Sequence, residues 1–301
     1  MASQESPLVL LSGASGLIGS ALIPSLKSRD FQVVRLVRGS ASGEQVAWDP
    51  SQPLSPEAVS GFQAVVHLSG ETVASRWSES KKAKIRSSRV DSTRNLALAL
   101  ARTEKRPQVF VSASAIGIYG NRGDEVLREE SAEGDGFLAE VCREWEAAAQ
   151  PAGDAGIRCA QIRTGVVLSS EGGALQKMLP PFRLGVGGNL GSGRQWMSWI
   201  HIQDMVGAIN HILKTDLLRG PVNLVAPRPV TNAEFTNTLG AVLSRPTIFP
   251  VPEFVMKLAF GQMGEEVLLT SQRVEPAKLV SSGYPFQYSD LRKALESVVK
   301  K

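Results

Sequence analysis

Short apolar runs alternate with amphipathic segments along the first half of the chain. The apolar runs predict strands at residues 7–12, 31–37, 63–69, 107–114 and 158–168. The amphipathic segments predict helices at residues 17–28, 79–102 and 137–149. Strands that alternate with helices build parallel sheets with right-handed crossovers, so the pattern predicts an α/β fold with a doubly wound parallel sheet.

The pattern changes after about residue 170. Residues 171–195 are rich in glycine and contain Pro180-Pro181, which indicates an ordered loop beside a site or a flexible linker. Later elements are predicted as a helix at 203–213, a strand at 221–225, a helix at 231–244 capped by Thr231 or Asn232, and a small, mostly helical tail at 246–301. We predict a main Rossmann domain over 1–170 and 196–226, and a smaller substrate-side domain over 171–195 and 227–301.

The turn between the first strand and the first helix reads Gly13-Ala-Ser15-Gly16-Leu17-Ile18-Gly19. Its glycines allow a sharp reversal, a close approach of backbone N–H groups to a pyrophosphate, and tight packing of the helix on the sheet. The helix N-terminus adds partial positive charge. A glycine-rich turn alone is weak evidence, but this strand–turn–helix context favours a dinucleotide site.

Composition narrows the class of protein. The chain has 301 residues, 43% of them hydrophobic and 21% charged, as in a soluble globular protein with a large core. Its net charge is only +4, and aromatic residues do not interleave with the one basic run, Lys81 to Arg89, so nucleic-acid binding is not indicated. That run is either a solvated helix face or an anion contact.

Cys142 and Cys159 are the two cysteines, and they form neither a disulfide framework nor a metal-ligand spacing. The sequence contains no apolar stretch of membrane-spanning length and no basic, then apolar, leader pattern at its start. We therefore predict a cytoplasmic monomer or homodimer without a membrane partner.

Further segments resemble the extended short-chain dehydrogenase/reductase superfamily. They are His67-Leu68-Ser69-Gly70, Arg89-Val-Asp-Ser-Thr93-Arg94-Asn95-Leu96, Ser112-Ala-Ser114-Ala-Ile-Gly-Ile-Tyr119-Gly120 and Trp199-Ile-His201-Ile-Gln-Asp204. An atypical branch, the nucleoside-diphosphate-sugar epimerase-like "epimerase family", is similar in Ser69-Gly70-Glu71, Arg163-Thr-Gly165-Val166-Val167-Leu168, Pro180-Pro181-Phe182 and Thr231-Asn232-Ala-Glu234-Phe235. The resemblance runs nearly end to end, and it implies cofactor contacts at Leu68, Ser69, Gly70, Arg89, Val166 and Val167.

The end of the second strand indicates which dinucleotide is bound. NAD proteins place a carboxylate there to bind the ribose 2′-hydroxyl, whereas this chain reads Val37-Arg38-Gly39. A guanidinium would bind a 2′-phosphate, which a carboxylate would repel. We predict NADP; a surface arginine without a ligand is the alternative.

The catalytic pattern departs from the resemblance. Extended members use a serine and a Tyr-x-x-x-Lys, in which the ammonium lowers the tyrosine pKa so that it can act near neutral pH. If Glu146 takes the family's glutamate position, Leu138 and Cys142 stand where the tyrosine and lysine should be. Neither side chain can move a proton under ordinary conditions.

Ser112 or Ser114 would be the family's serine, with Ser114 preferred by its position, and Tyr119 and Glu71 are candidate replacements for the missing groups. Ser114 would polarise a substrate oxygen, Tyr119 would donate a proton to it, and Glu71 would act as a base. The hydroxyls of Ser114 and Tyr119 should then point toward the nicotinamide, and reduction of a carbonyl would be favoured over oxidation of an alcohol. The alternatives are a packed loop tyrosine and a helix-capping or solvated carboxylate.

Other candidates are read as structural or left open. His67 lies in an apolar strand and is predicted to be a core histidine, and His201 with Asp204 is predicted to tie strand to helix. Trp77, Trp196 and Trp199 could cover a flat substrate or simply pack in the core. Two functions remain: an NADP-dependent oxidoreductase or epimerase for a small polar, possibly nucleotide-linked substrate, or a non-catalytic NADP-binding sensor or scaffold.

Overall fold

The computed structural model describes residues 6–299, so predictions for the first five and last two residues lie outside it. Its strands are β1 (Leu8–Ser12), β2 (Gln32–Arg38), β3 (Gln45–Trp48), β4 (Ala64–His67), β5 (Val109–Ala115), β6 (Val126–Leu127), β7 (Arg158–Thr164), β8 (Val166–Leu168), β9 (Trp196–Met197), β10 (Trp199–His201), β11 (Gly220–Leu224), β12 (Val230–Thr231) and β13 (Arg273–Val274).

Its helices are α1 (Leu17–Lys27), α2 (Glu79–Arg102), α3 (Phe137–Ala148), α4 (Gln150–Asp154), α5 (Gly173–Arg183), α6 (Ile202–Lys214), α7 (Asn232–Leu243), α8 (Glu253–Phe260), α9 (Ala277–Ser281) and α10 (Leu291–Val299). A π-helical turn spans Gly264–Leu268. Within residues 6–299, no helix combines the length and apolarity needed to cross a membrane.

Seven strands form one parallel sheet in the order β11-β7-β5-β4-β1-β2-β3. Alternate residues of β1 are buried on opposite faces: Val9 and Leu11 pack with α1 and α6, and Leu10 packs with α2. This double burial is why the strands read as continuous apolar runs. The predicted doubly wound α/β fold is confirmed.

The strand order reverses at β1, because β2 lies on one side of it and β4 on the other. In open parallel sheets such a reversal leaves a crevice beyond the carboxyl ends of the strands, where ligands bind. The glycine turn after β1 and residues 68–70 after β4 both lie at that edge. The topology therefore brings together the segments that the sequence assigned to the cofactor.

One predicted strand is wrong in its extent, and one strand was missed. The strand predicted at 158–168 is interrupted at Gly165, and β8 beyond it pairs with β10 in a separate small sheet. The segment carrying Ser198 crosses here so closely that a Cβ on Gly165 would lie 2.6 Å from the Ser198 carbonyl oxygen. Strand β3, at the sheet edge, was not predicted at all.

The glycine-rich segment 171–195 contains helix α5, which the loop prediction missed. Leu175, Leu179 and Phe182 are buried at helical spacing in a second hydrophobic cluster, together with side chains of α7 and α10. The tail is mostly helical as predicted, and the Thr231 hydroxyl caps α7 by accepting from Glu234 N. The boundary between the two proposed domains stays a prediction.

Candidate cofactor site

The turn after β1 requires glycine at two positions. Gly13 has φ +70°, and a Cβ there would lie 2.7 Å from the carbonyl carbon of Leu68. A Cβ on Gly19 would overlap the Gly13 carbonyl oxygen, so only glycine lets α1 pack against the turn. Gly16 N–H donates to Gly13 O at 3.0 Å, and no side chain caps the first turn of α1. The uncapped N–H groups are suited to bind an anion.

A cavity of ≈ 320 Å³ lies against this turn. Its walls combine three chain segments that the sequence analysis had assigned separately: the turn after β1, the end of β4, and β8. The lining residues include Gly13, Gly16, Leu17, Ile18, Gly19, Leu68, Val166 and Val167. Ser15 is exposed on the turn, and Ser69 is half-buried beside Leu68.

A second cavity, of ≈ 570 Å³, lies at the ends of β2 and β3. Arg38, Gly39, Trp48 and Asp49 line it, and Arg38 is exposed. No other side chain of residues 6–299 forms an ion pair or hydrogen bond with the Arg38 guanidinium. The neighbouring Asp49 carboxylate accepts from Ser51 N and Oγ, which lowers its pKa. A free guanidinium therefore faces this cavity.

The end of β4 carries an acid–base pair. Glu71 Oε1 accepts from Lys81 Nζ at 2.6 Å, and this hydrogen bond is the main reason that the pKa of Glu71 is lowered. Glu71 N–H donates to Ser88 Oγ, which ties the strand end to α2. At neutral pH the Glu71 carboxylate is ionised, so it could accept a proton but not donate one. Its catalytic role stays a prediction.

The predicted orientation of Tyr119 is wrong. Its side chain is 0% exposed, and its hydroxyl accepts from Arg163 Nη1 at 3.0 Å. The hydroxyl proton is shared between two acceptors, Asn223 Oδ1 at 2.8 Å and Arg128 O at 2.9 Å. Burial is the largest influence on Tyr119 and raises its pKa. Tyr119 is therefore a packed tyrosine, which was the alternative to a catalytic role.

Ser114 does not point into the crevice either. It is 3% exposed, and its Oγ donates to Glu146 Oε1 at 2.6 Å on the helix α3 side of the sheet. Glu146 in turn binds Arg163 on β7. Arg163 and Glu146 entered the sequence prediction only as parts of motifs, and their pairing was not predicted. The signal that could have found the pair is that the two residues have opposite charges and both belong to motifs of the same family.

The two positions of α3 that correspond to the family's tyrosine and lysine carry no side chain that could transfer a proton near neutral pH. Cys142 is buried, which raises the pKa of its thiol to about 12, and Leu138 packs against Gly117. At the start of the helix, Glu266 from the π-helical turn accepts hydrogen bonds from Phe137 N at 3.2 Å and Leu138 N at 2.9 Å. Sequence reasoning missed this cap, because its partner lies more than a hundred residues away.

The three tryptophans do not form one cover over the site. Trp77 packs edge-on against Phe137, with ring centroids 5.2 Å apart. Trp196 donates to Asp124 and lies under Arg273. Trp199 is fully buried. Trp199 is therefore a core residue, and its Nε1 donates to Arg228 O.

His67 is a core histidine as predicted, and His201 joins β10 to α6, whereas Asp204 has different partners from those predicted. His67 is fully buried between the hydroxyls of Ser12 and Ser92. His201 accepts from Gln203 N at the start of α6. Asp204 accepts from Gln287 N and Tyr288 N, so it ties α6 to the C-terminal segment.

The chain matches two family models. The model of the NAD-dependent epimerase/dehydratase family matches residues 9–224, and that of a domain of unknown function, DUF1731, matches residues 251–298. Among curated proteins, the chain is 43% identical over 291 residues to an epimerase family protein of Mycobacterium bovis, covering 96% of each chain. It is 36% identical to the human epimerase family protein SDR39U1, covering 97% of this chain and 99% of that one.

Solved structures of epimerase family proteins share the fold of this chain. The crystal structure of human SDR39U1 with NADPH superposes with a TM-score of 0.89 at 35% identity, covering 98% of this chain and 99% of that one. A nucleoside-diphosphate sugar epimerase from Corynebacterium glutamicum gives a TM-score of 0.81 at 39% identity, covering 98% of this chain and 59% of the other. A UDP-N-acetylglucosamine 4-epimerase from Bacillus cereus, at 16% identity, shares the fold.

Proposed function

This chain belongs to the NAD-dependent epimerase/dehydratase family, and on that basis we propose that it is an NADP(H)-binding protein whose binding role does not depend on the Tyr-x-x-x-Lys relay. The observation that carries the proposal is the unpaired Arg38 guanidinium, which faces a cavity at the end of β2, the strand next to β1 in the sheet. NADPH in the human relative's structure supports it.

The described residues fit such a cofactor. The glycine turn and the uncapped N-terminus of α1 would hold a pyrophosphate, and Arg38 would bind a 2′-phosphate where an NAD protein needs a carboxylate. Val166 and Val167 would form an apolar wall of the crevice. When bound, the nicotinamide supplies hydride-transfer chemistry.

The proton-transfer groups do not accompany this binding site. Ser114 and Tyr119 are held by Glu146, Asn223 and Arg163 beneath the sheet edge, and Cys142 and Leu138 occupy the relay positions. These contacts favour a sensor or scaffold that binds NADP(H) over an enzyme that uses the family's usual tyrosine. The cytoplasmic location and the oligomeric state stay predictions.

A second candidate function rests on the Glu71–Lys81 pair. An ionised carboxylate at the carboxyl end of β4 could take the proton from an alcohol, so this candidate is an NADP-dependent oxidoreductase for a small polar substrate. Because Tyr119 is buried away from the crevice, it cannot donate a proton to a carbonyl that is being reduced there. The direction that remains is oxidation of an alcohol.

Titration of the purified protein with NADPH and NADH tests the binding proposal. We expect NADPH to bind more tightly, and Arg38→Asp to remove or reverse the preference, because a carboxylate repels the 2′-phosphate. Arg35→Asp is the matched control, since Arg35 is exposed on the same strand but does not line the cavity. Equal and weak affinity for both cofactors would show that the proposal is wrong.

A panel of alcohols and carbonyl compounds, followed by nicotinamide absorbance, separates the two functions. Turnover that Glu71→Gln abolishes would favour the oxidoreductase. Absence of turnover, together with a protein partner captured only in the presence of NADPH, would favour the sensor or scaffold.

A further inference from the structure

Helix α8 packs only weakly on the rest of the protein. Of its eight residues only Met256 is buried, and Phe254 and Leu258 are 70% and 76% exposed. Its main packing partner is the π-helical turn that follows it, where Gly264 leaves room for the Met256 carbonyl group. A helix that buries so little apolar surface depends on other contacts to stay in place.

Both ends of the segment that comprises α8 and the π-helical turn, residues 253–268, are fixed to the body of the protein. Before α8, Val251 N–H donates to Asn189 O at 2.8 Å. After the π-helical turn, the Ser271 hydroxyl donates to Gly123 O at 2.7 Å. The segment is therefore tied down on either side of a stretch that has little packing of its own.

Two polar contacts hold the middle of this segment. Arg76 Nη1 donates to Leu258 O at 2.7 Å, at the C-terminal end of α8, where the helix dipole favours a positive charge. Farther along the chain, the Glu266 carboxylate accepts from Phe137 N and Leu138 N at the start of α3. Each contact is made by one side chain, so each can break without disturbing the hydrophobic core.

The two contacts lie on opposite borders of the crevice. Arg76 belongs to the segment that follows β4, beyond Gly70 and the half-buried Arg89 side chain that Gly70 contacts. Phe137 begins α3, the first α-helix after β5. Because β4 and β5 are neighbours in the parallel sheet, their carboxyl ends border the same crevice. Residues 253–268 therefore bridge the crevice from the β4 side to the β5 side.

We propose that residues 253–268 are a lid over this part of the crevice, with hinges at their two fixed ends and with Arg76 and Glu266 as latches. Opening breaks both latches and lets a ligand enter or leave, whereas closing shields the crevice from water. Met256 and Met263, two buried residues of the lid, suit repeated docking because methionine side chains are flexible. The lid does not depend on which ligand binds; only its kinetic test rests on the proposed binding of NADP(H).

Amide hydrogen exchange in the ligand-free protein tests whether residues 253–268 open as one unit. Arg76→Met removes one latch, and we expect exchange to accelerate by about fivefold or more in α8. The Phe137 and Leu138 amides should accelerate with it, although Glu266 and not Arg76 binds them. Glu266→Ala removes the other latch and should accelerate exchange in α8 as well, whereas loss of a helix cap alone would change only the start of α3.

Two control variants change exposed charges that are not latches. Arg183 is exposed, and its side chain makes no hydrogen bond or ion pair within the part of the chain that the structure describes. Glu265 pairs with Lys257 inside the lid itself. Arg183→Met and Glu265→Gln should therefore leave exchange in residues 253–268 within about twofold of the wild type.

Stopped-flow binding of NADPH tests whether the lid controls access to the crevice. Both latch variants should raise the association and dissociation rate constants together, by about threefold or more, because the open state is populated more often. Loss of a direct contact with the ligand would raise the dissociation rate constant alone. The two rate constants therefore separate a gate from a binding residue.

Accelerated exchange only beside the substituted residue, or no acceleration in either latch variant, overturns the lid. An unchanged association rate constant in both variants overturns its role as a gate. Failure of the wild type to bind NADPH overturns the proposed function, and the exchange experiment still decides whether residues 253–268 open as one unit.

Discussion

Both oxygens of the Glu146 carboxylate accept hydrogen bonds from the Arg163 guanidinium, Oε1 from Nε at 2.8 Å and Oε2 from Nη2 at 2.9 Å. The two side chains are 14% and 5% exposed. Ser114 and Tyr119 bind to opposite ends of this pair. These two hydroxyls were candidate catalytic groups. They are instead the hydrogen-bond partners of a buried ion pair that joins α3 to β7.

We expect Glu146→Gln to destabilise the fold by about 3 kcal/mol, because it leaves the Arg163 charge buried without its counter-ion. Chemical denaturation measures the change in the free energy of unfolding. Glu133→Gln is the control: its carboxylate is exposed and lies 3.8 Å from Arg143, so its loss should cost well under about 1 kcal/mol. Similar effects of the two variants would contradict the assignment of Glu146 to a buried pair.

Tyr119→Phe should lower the free energy of unfolding by about 1 to 2 kcal/mol, because Asn223 Oδ1 and Arg163 Nη1 each lose a partner. Affinity for NADPH should not change, since the hydroxyl faces the core. Tyr288→Phe is the control, because within the described chain the Tyr288 hydroxyl makes no hydrogen bond. An intact fold with abolished turnover would restore the catalytic interpretation of Tyr119.

The sequence predicted those features whose causes are local. Gly13 and Gly19 are required by contacts within the strand–turn–helix unit itself, and the apolar runs reflect burial on both faces of the sheet. The helix at Gly173–Arg183 was also predictable, because Leu175, Leu179 and Phe182 keep helical spacing. The glycines around it and Pro180-Pro181 within it suggested a loop instead.

Other features depend on partners far away in the chain. Tyr119 faces the core because Asn223 and Arg163 offer hydrogen bonds there, and neither is close in sequence. The interruption at Gly165 is caused by the segment carrying Ser198. Strand period gives the face of a side chain only when the register is known, so the orientation of Ser114 could not be predicted securely.

Glu266→Ala should destabilise the protein by about 1 kcal/mol, because the carboxylate caps two N–H groups at the start of α3. Hydrogen exchange at the Phe137 and Leu138 amides should accelerate. Glu265→Ala is the matched control, since its exposed carboxylate pairs with Lys257 at 3.4 Å and should contribute little. Unchanged amide exchange in the Glu266 variant would rule out the cap.

Gly19→Ala should abolish NADPH binding and destabilise the fold, because the added methyl group would overlap the Gly13 carbonyl oxygen and push α1 away from the turn. Gly153→Ala is the control: the nearest atoms to its added Cβ lie 3.8 Å away, so neither binding nor stability should fall. Fluorescence titration with NADPH and thermal denaturation measure the two effects. Full affinity in the Gly19 variant would contradict the proposed phosphate-binding turn.

The buried imidazole of His67 should make stability depend on pH. Burial lowers the pKa of His67 from 6.5 to about 4. Below about pH 6.5 the unfolded chain therefore binds a proton that the folded protein does not, so stability is fully present above that pH and is lost as pH falls toward 4. The loss should approach about 3 kcal/mol.

Urea denaturation from pH 7 to 4.5 should show a weaker pH dependence in His67→Gln than in the wild type. Parallel slopes in the wild type and the His67→Gln variant would mean that His67 is not the titrating group.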